Sequence, residues 1–486
     1  MSPDERNLSV LAGQTVHDLL SRKLLLPLTR AQRLARASRR PAMRAFYAGM
    51  RFRRESAAWD LEERRAWMLK RLRHVVRRAA AETLFYRELF RRERFDPQAD
   101  FSFDDFARLP TLEREEIRQA GRALISNAVP ADQLRKDSTG GSTGEPTHVW
   151  LGPEELGWRE SALEYPMQRI GAPTGTPTGY LWGHHLDPVA RETWRERYHD
   201  FESNVRWFDC FRLSAEVLAG YHAEFTRWRP RCIIAYASAL AALAEFVLSE
   251  NLKPNYPTKC FVTGAEKLLP AQRAAIERAF PARSLHERYG SRDVGIMGFQ
   301  IEPARTHDFE VDWQNLLVEP ETTEADSPIL ITKLHADAMP MLRYRVGDVG
   351  RFPRASAQPG HPAFVLHEVL GREADRIWLP DGRWITGLQM PHMLKDYPVR
   401  EFMFLQRPDY SVELQVIPHN NFGEDSRRSI LETVEANLPG LRVSLALVQS
   451  IPRTKANKLR PVVSEVKRTT GNDVSEAREV SEGNGR

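Results

Sequence analysis

From Ser138 to Gly144 the chain reads Ser-Thr-Gly-Gly-Ser-Thr-Gly, three glycines and four hydroxyls in seven residues. Glycines let backbone N–H groups approach a ligand closely, and hydroxyls add donors. Ser138, Thr139, Gly140, Gly141, Ser142, Thr143 and Gly144 therefore suit an oligophosphate. No Gly-Lys-Ser/Thr ends the run and no GxGxxG occurs, so it is neither a Walker loop nor a dinucleotide fingerprint. The plainer reading, a flexible Gly/Ser linker, does not explain why it lies inside folded sequence. A second cluster, Tyr289-Gly-Ser-Arg-Asp-Val-Gly295, offers a flat aromatic face for a base and, in Asp293, a hard oxygen ligand suited to Mg²⁺ held jointly with phosphates. A third, Leu342 to Gly350, places Asp348 after a glycine, where a carboxylate can accept from both hydroxyls of a ribose. A turn Asp capping its own backbone explains Asp348 equally well. Gly371-Arg-Glu-Ala-Asp375 puts a cation, Arg372, where it can reach a nucleotide or form a salt bridge. Ile451 to Arg460 is a basic run of the kind that is usually solvated.

The elements that position these residues come from pattern. Residues 1–60 read as a basic helical extension. From Leu19 to Arg54 there are eleven Lys or Arg and no acid, with Leu24, Leu25, Leu28, Leu34, Phe46 and Phe52 interleaved. Such a segment can lie on anionic lipid or dock a partner protein. The plainer alternative, which we favour, is a helix packed on its own protein. Residues 61–121 are also helical in pattern, broken at Leu109-Pro110, with Thr111 expected to cap the next helix. After Asp137 strands and helices alternate. Ile233 to Leu248 reads as an apolar helix, Lys259 to Thr263 as a buried strand, Pro270 to Phe280 as a helix and Ser284 to Tyr289 as a strand. Ile329 to Leu334 and Met341 to Tyr344 read as further strands. This alternation predicts a layered α/β body over residues 61–371. A smaller α+β unit follows over 372–470, with strands near Glu401 to Leu405 and Ser411 to Ile417 and a helix from Ser426 to Asn437. Residues 471–486 are Gly-, Ser- and Glu-rich and expected to be disordered.

Composition narrows the function classes. The chain has 486 residues, 42% of them hydrophobic, and a net charge of +5, too small an excess to imply nucleic acid. Cys210, Cys232 and Cys260 are few and widely spaced. They fit neither a disulfide framework nor a zinc module, and a reducing cytoplasm is the natural compartment. The first ten residues carry Asp4, Glu5 and Arg6 before any apolar run, unlike a signal peptide. No apolar stretch is long enough to span a bilayer.

Taken together and in order, these clusters resemble the adenylate-forming superfamily of acyl-CoA synthetases, peptide-synthetase adenylation domains and luciferase. The chain is most similar to the phenylacetate–coenzyme A ligase family and its branch of capsule-biosynthesis adenylating enzymes. Phe85 to Leu89, Leu109 to Leu112, Tyr236 to Leu240 and Thr263 to Glu266 add to the resemblance, which covers roughly Leu69 to Val466. It implies a large multi-layer α/β N-terminal domain with a small mobile α+β C-terminal lid. The implied reaction is ATP-dependent conversion of a small carboxylic acid to an acyl-adenylate, then transfer to a thiol, with ATP, Mg²⁺ and coenzyme A as reactants and cofactor. The resemblance assigns the Ser138 to Gly144 loop to the β- and γ-phosphates. Gly264, Ala265 and Glu266 would line the adenine pocket through backbone, beside Tyr289, Gly290 and Ser291. Asp293 takes the place of a glutamate as Mg²⁺ ligand, and Asp348 and Arg372 hold the ribose. Lys458, preferred over Lys455, contacts the reacting carboxylate and α-phosphate. Trp182, His184 and His185, with Phe208 and Tyr236, lie where the family builds its acyl pocket, and suit an aromatic or hydroxylated acid.

Three departures leave alternatives open. Arg292 replaces a small hydroxyl residue, Asp293 is one methylene shorter than the usual ligand, and Ala374 replaces the first hinge aspartate. The acceptor is coenzyme A or, alternatively, an amine or hydroxyl. A non-catalytic nucleotide-binding scaffold of the same fold is the remaining reading.

Overall fold

The computed structural model describes residues 40–138, 147–182, 200–201, 203–210, 213–281, 283–354, 358–372, 376–380, 384–386, 390–394, 397–419, 421–453 and 459–466. The chain divides into two compact units, with the boundary between Gly371 and Arg372.

The larger unit opens with α1 (Pro41–Glu55). Helices α2 (Leu61–Glu82), α3 (Leu84–Arg92), α4 (Phe103–Ala107) and α5 (Arg114–Ala120) follow. Asp60 starts α2 through a capping box with Glu63. Thr111 does not cap α5, contrary to expectation. The cap is Glu113, paired with Glu116, because Leu112 is drawn into a bridge beside Tyr344 and the helix can start only after it.

A hairpin of β1 (Arg135–Ser138) and β2 (His148–Leu151) leads into α6 (Pro153–Arg169). The described part of the basic N-terminal segment packs on α6. A Cβ on Gly157 would run into the carbonyl oxygen of Ala42, so α1 and α6 cross at a distance only glycine permits. Arg53 on α1, 1% exposed, forks onto both carboxylate oxygens of Asp312 (2.7 and 2.9 Å) and also donates to Ser161 Oγ (2.8 Å).

The alternating region builds an eight-stranded sheet. In chain order its parts are β3 (Thr178–Trp182), β4 (Val205–Asp209), α7 (Ala215–Trp228), β5 (Cys232–Tyr236), α8 (Ala237–Ser249), β6 (Cys260–Gly264), α9 (Pro270–Ala279), β7 (Ser284–Ser291), β8 (Gly295–Phe299) and β9 (Phe309–Val311). With β13 (Val365–Leu366) at one edge, spatial order is β13-β9-β8-β7-β6-β5-β3-β4, parallel from β7 to β4 and antiparallel beyond β7. The expected single helix Ile233 to Leu248 is in fact a strand followed by a helix. Cys232 to Tyr236 is buried at every position, as a central parallel strand covered on both faces must be. Ile233, Ala235, Phe261 and Leu181 pack under α7 to α9, while Cys232, Ile234, Cys260 and Val262 pack against Met167 and Phe299 on the other face.

A four-stranded sheet, β10-β11-β12-β14, completes the unit: β10 (Leu316–Pro320), β11 (Asp326–Lys333), β12 (Tyr344–Arg351), β13 (Val365–Leu366, in the larger sheet) and β14 (Glu368–Arg372). The strand expected at Met341 to Tyr344 begins only at Tyr344. Arg343 has φ +51° and breaks the extended run, held there by Glu319 (3.2 Å).

The smaller unit has a β15–β16 ribbon (Arg376–Trp378, Trp384–Thr386), α10 (Met390–Leu394), β17 (Val399–Gln406), β18 (Val412–Pro418), α11 (Glu424–Asn437), β19 (Val443–Leu447) and β20 (Val462–Ser464). Its sheet order is β19-β18-β17-β20. The buried amide of Gln406 holds the ribbon to the sheet, accepting from Trp378 N (2.8 Å) and donating to Trp378 O (2.7 Å). Among the described residues no helix is long and apolar enough to cross a membrane.

Candidate active site

The expected site residues of the larger unit come from the carboxyl ends of β5, β6 and β7 and from β12. The carboxyl edge of a parallel sheet is where an α/β fold presents its ligand. Sequence separation disappears there. The hydroxyl of Tyr289, in β7, donates to Asp348 Oδ2, in β12, at 2.8 Å. The hydroxyl of Tyr344, also in β12, donates to Asp293 Oδ2, just past β7, at 2.6 Å. Each of the two motifs thus supplies one phenol and one carboxylate to the other, and the expected base-stacking, ribose and metal residues converge. Gly290 in the first motif cannot carry a side chain, since a Cβ would meet Gly295 O at 2.6 Å.

Asp293 is 1% exposed. Burial works to raise its pKa, but the nearby Ser291 and Tyr344 hydroxyls and the Arg114 charge outweigh that and hold it below the usual carboxylate range. Arg114 lies 4.0 Å from Asp293 Oδ2 and is itself bonded to Tyr344 Oη (3.1 Å) and Val346 O (2.8 Å). Lys333 also acts on Asp293, but its ammonium is paired with Glu155 at 2.7 Å. The other oxygen, Oδ1, is buried and accepts no hydrogen bond among the described residues. One ionised carboxylate with an unused oxygen fits Mg²⁺ held jointly with phosphates, which asks for only one or two protein carboxylates. Among the described residues no group of three or more His, Cys, Asp or Glu forms a cage for a metal.

At the end of β6, Ala265 adopts φ +66°, a left-handed conformation unusual for a residue with a Cβ. The Glu266 side chain turns away to accept from Ser238 N (3.0 Å) in the first turn of α8. The carboxylate thus satisfies a backbone amide at the start of α8. Gly264 is shaped by its neighbour across β7, since a Cβ there would lie 2.9 Å from Arg288 Cγ.

Of the acyl-pocket candidates, Trp182 and Tyr236 meet edge to face at 4.6 Å, at the ends of β3 and β5. Phe208 does not join them and is withdrawn from the set. It is 2% exposed and packs against Tyr221 (5.1 Å) and Phe225 (4.7 Å) beneath α7. The alternation of β4 points it into the core, on the face opposite Trp207, which stacks on Tyr180.

Thr139, Gly140, Gly141, Ser142, Thr143, Gly144, His184, His185, Lys455 and Lys458 lie outside the described residues, as do Ala374 and Asp375. The flanks of two of these segments are described. Ser138 pairs with His148 in the β1–β2 hairpin, so the Gly/Ser run is bounded by paired strands rather than by free chain. In the smaller unit Arg453 and Leu459 form an antiparallel bridge, and Arg453 is anchored by Glu401 at 2.7 Å on both oxygens. The ends of the segment bearing Lys458 are therefore held side by side. Arg372 is the half-buried last residue of β14.

Two residues escaped the sequence reading. Arg114 stands 179 positions before Asp293 in the chain and carried no local signal. Tyr344 lay inside a quoted motif, but without three-dimensional pairing nothing distinguished its hydroxyl from a core tyrosine's.

The chain is 19% identical over 397 residues to Protein CapK of Staphylococcus aureus, covering 79% of this chain and 85% of that one. It is 22% identical over 457 residues to a phenylacetate–coenzyme A ligase of Thermus thermophilus, covering 85% and 99%. No protein-family model matches it. Among solved structures it is similar to 2-hydroxyisobutyryl-CoA ligase in the postadenylation state in complex with 2-HIB-AMP. The TM-score is 0.64 at 20% identity, covering 86% of this chain and 92% of that one. The same ligase in the thioesterification state, with 2-HIB-AMP and CoA, matches at a TM-score of 0.53.

Proposed function

We propose, from the premise that the chain belongs to the adenylate-forming superfamily and within it resembles the phenylacetate–coenzyme A ligases, that it activates a carboxylic acid with ATP and passes the acyl group to a thiol, that of coenzyme A. One observation carries this reading: the reciprocal pairing of Tyr289 with Asp348 and of Tyr344 with Asp293. It brings together the residues that in this reading serve as base platform, ribose acceptor and metal carboxylate, and nothing in the packing of a scaffold requires all three.

In this reading the acid's carboxylate oxygen attacks the α-phosphorus of ATP and the bond to the departing pyrophosphate breaks. Residues 138–144 hold the β- and γ-phosphates. Gly264, Ala265 and Glu266 line the adenine through backbone, with Tyr289, Gly290 and Ser291 beside it, and Asp348 and Arg372 take the ribose hydroxyls. Asp293 would hold Mg²⁺, which when bound supplies charge neutralisation at the phosphates. Lys458 places an ammonium against the negative charge that builds on the α-phosphate and the reacting carboxylate. The smaller unit delivers Lys458 for adenylation and withdraws it before thiol attack on the acyl carbon, which releases AMP. The coenzyme A ligases among the relatives support a thioester product.

Lys458→Ala should reduce ATP–pyrophosphate exchange about 10²–10³-fold while ATP still binds. Exchange at the wild-type rate would remove Lys458 from the mechanism. Supplying a turned-over acid with ATP and either coenzyme A or an amine, and weighing the product, fixes the acceptor.

A further inference from the structure

Arg288 has no part in the roles assigned above, yet it sits at the carboxyl edge of the sheet among the acyl-pocket residues. Its guanidinium carbon lies 4.8 Å from the centre of the Trp182 ring, over its face. Its side chain lies on Gly264, which has no Cβ to obstruct it. The Tyr180 hydroxyl lies beside it, and Tyr236 is near enough to feel its charge. Four strands, β3, β5, β6 and β7, therefore contribute to one cationic nook. No carboxylate among the described residues is within ion-pair distance, and the groups that act on Arg288 are phenols and a thiol. Burial pulls its pKa down, and the nearby phenols and thiol offset this only in part.

An arginine in such a place is a liability to the protein alone. A half-buried guanidinium without a carboxylate gives up part of its hydration, which a stacked indole only partly replaces. Other arginines of the same unit are treated differently: Arg53 is forked onto Asp312, and Arg343 is bonded to Glu319. Arg288 is half-buried, and no nitrogen of its side chain is both buried and unpartnered. Each of its side-chain nitrogens is therefore either hydrogen-bonded or at least partly accessible.

We infer that Arg288 receives a second anionic group carried by the acid, so that the substrate is a dicarboxylate: one carboxylate reacts with ATP and the other is gripped by the planar guanidinium fork. The fork's geometry matches a carboxylate bidentately. This refines the expectation of an aromatic acid, because Arg288 already covers one face of Trp182. The inference rests on the adenylation reading for the identity of the reacting carboxylate, but not for the binding of the second one.

The test uses the full-length enzyme, wild type and Arg288→Met, which keeps the packing on Gly264, with Arg288→Lys as a second variant. The probes are linear dicarboxylic acids of three to six carbons and the benzenedicarboxylic acids, each matched to the mono-acid of the same skeleton. Pyrophosphate release gives kcat/KM, and thermal shift without ATP reports binding. At least one dicarboxylate should exceed its mono-acid by roughly 10²-fold in kcat/KM. Arg288→Met should erase that ratio while leaving the KM for ATP unchanged, and Arg288→Lys should restore part of it. Preference for mono-acids, or an equal loss on both acids in Arg288→Met, overturns the inference and leaves the adenylation reading standing. Dicarboxylate binding that is lost in Arg288→Met, with no pyrophosphate released from any acid, upholds the inference and overturns that reading. Neither binding nor turnover of any dicarboxylate sinks the inference outright.

Discussion

Arg53 and Arg288 belong to the same unit, and both are held against tryptophan rings, at 5.4 Å from Trp158 and 4.8 Å from Trp182. Around Arg53 the protein supplies everything a guanidinium can use: two carboxylate oxygens, a hydroxyl and an aromatic face. Around Arg288 it supplies the aromatic face and phenols but no anion. A charge that the chain neutralises itself is part of the architecture, and its loss is felt in stability. One left for something else to neutralise is felt in binding.

The contrast breaks most readily at Asp312. Asp312→Ala leaves Arg53 buried without its partner and should cost about 3–5 kcal/mol, read as a fall in the urea midpoint, whereas Arg288→Met should cost no more than about 1 kcal/mol. Equal losses would erase the distinction. Next in size is the crossing itself. Gly157→Ala forces α1 away from α6 and should cost about 1–3 kcal/mol, with a smaller midpoint shift and unchanged acid preference.

The third effect depends on pH. His335 stacks on Trp158 at 3.5 Å, and burial, only partly offset by Glu154, pushes its pKa down to about 3. The folded state keeps it neutral while the unfolded chain protonates near the ordinary value of about 6.5. Its contribution is therefore fully present above pH 6.5 and declines on acidification toward 3, by at most about 1.4 kcal/mol per pH unit. His335→Phe should flatten that part of the stability–pH curve. A curve of unchanged slope would show that other groups set it.

Much of this was readable from the sequence because it is local. The helix at Pro270 and the paired strands of the smaller unit each announce themselves within a dozen residues. Three things did not. The strand–helix boundary inside Ile233 to Leu248 was invisible because a fully buried strand has no alternation to distinguish it from an apolar helix. The start of β12 moved because Arg343 is held in a left-handed conformation by Glu319, a contact 24 residues away in the chain. Phe208 was misassigned because a motif gives the neighbourhood of a pocket but not the side of the strand on which a ring falls. In the site itself the residue types of both motifs were legible, whereas their exchange of phenols and carboxylates exists only once β7 and β12 lie side by side.

The α1–α6 crossing bears on how the protein can be trimmed for experiment. A shortened version beginning at residue 55 would discard Arg53 together with the helix that covers Gly157. It would also strand Asp312 in an interior without its cation. Such a fragment tests the integrity of the fold and says nothing about lipid attachment. A start ahead of Pro41 retains α1 and asks only about the residues before it.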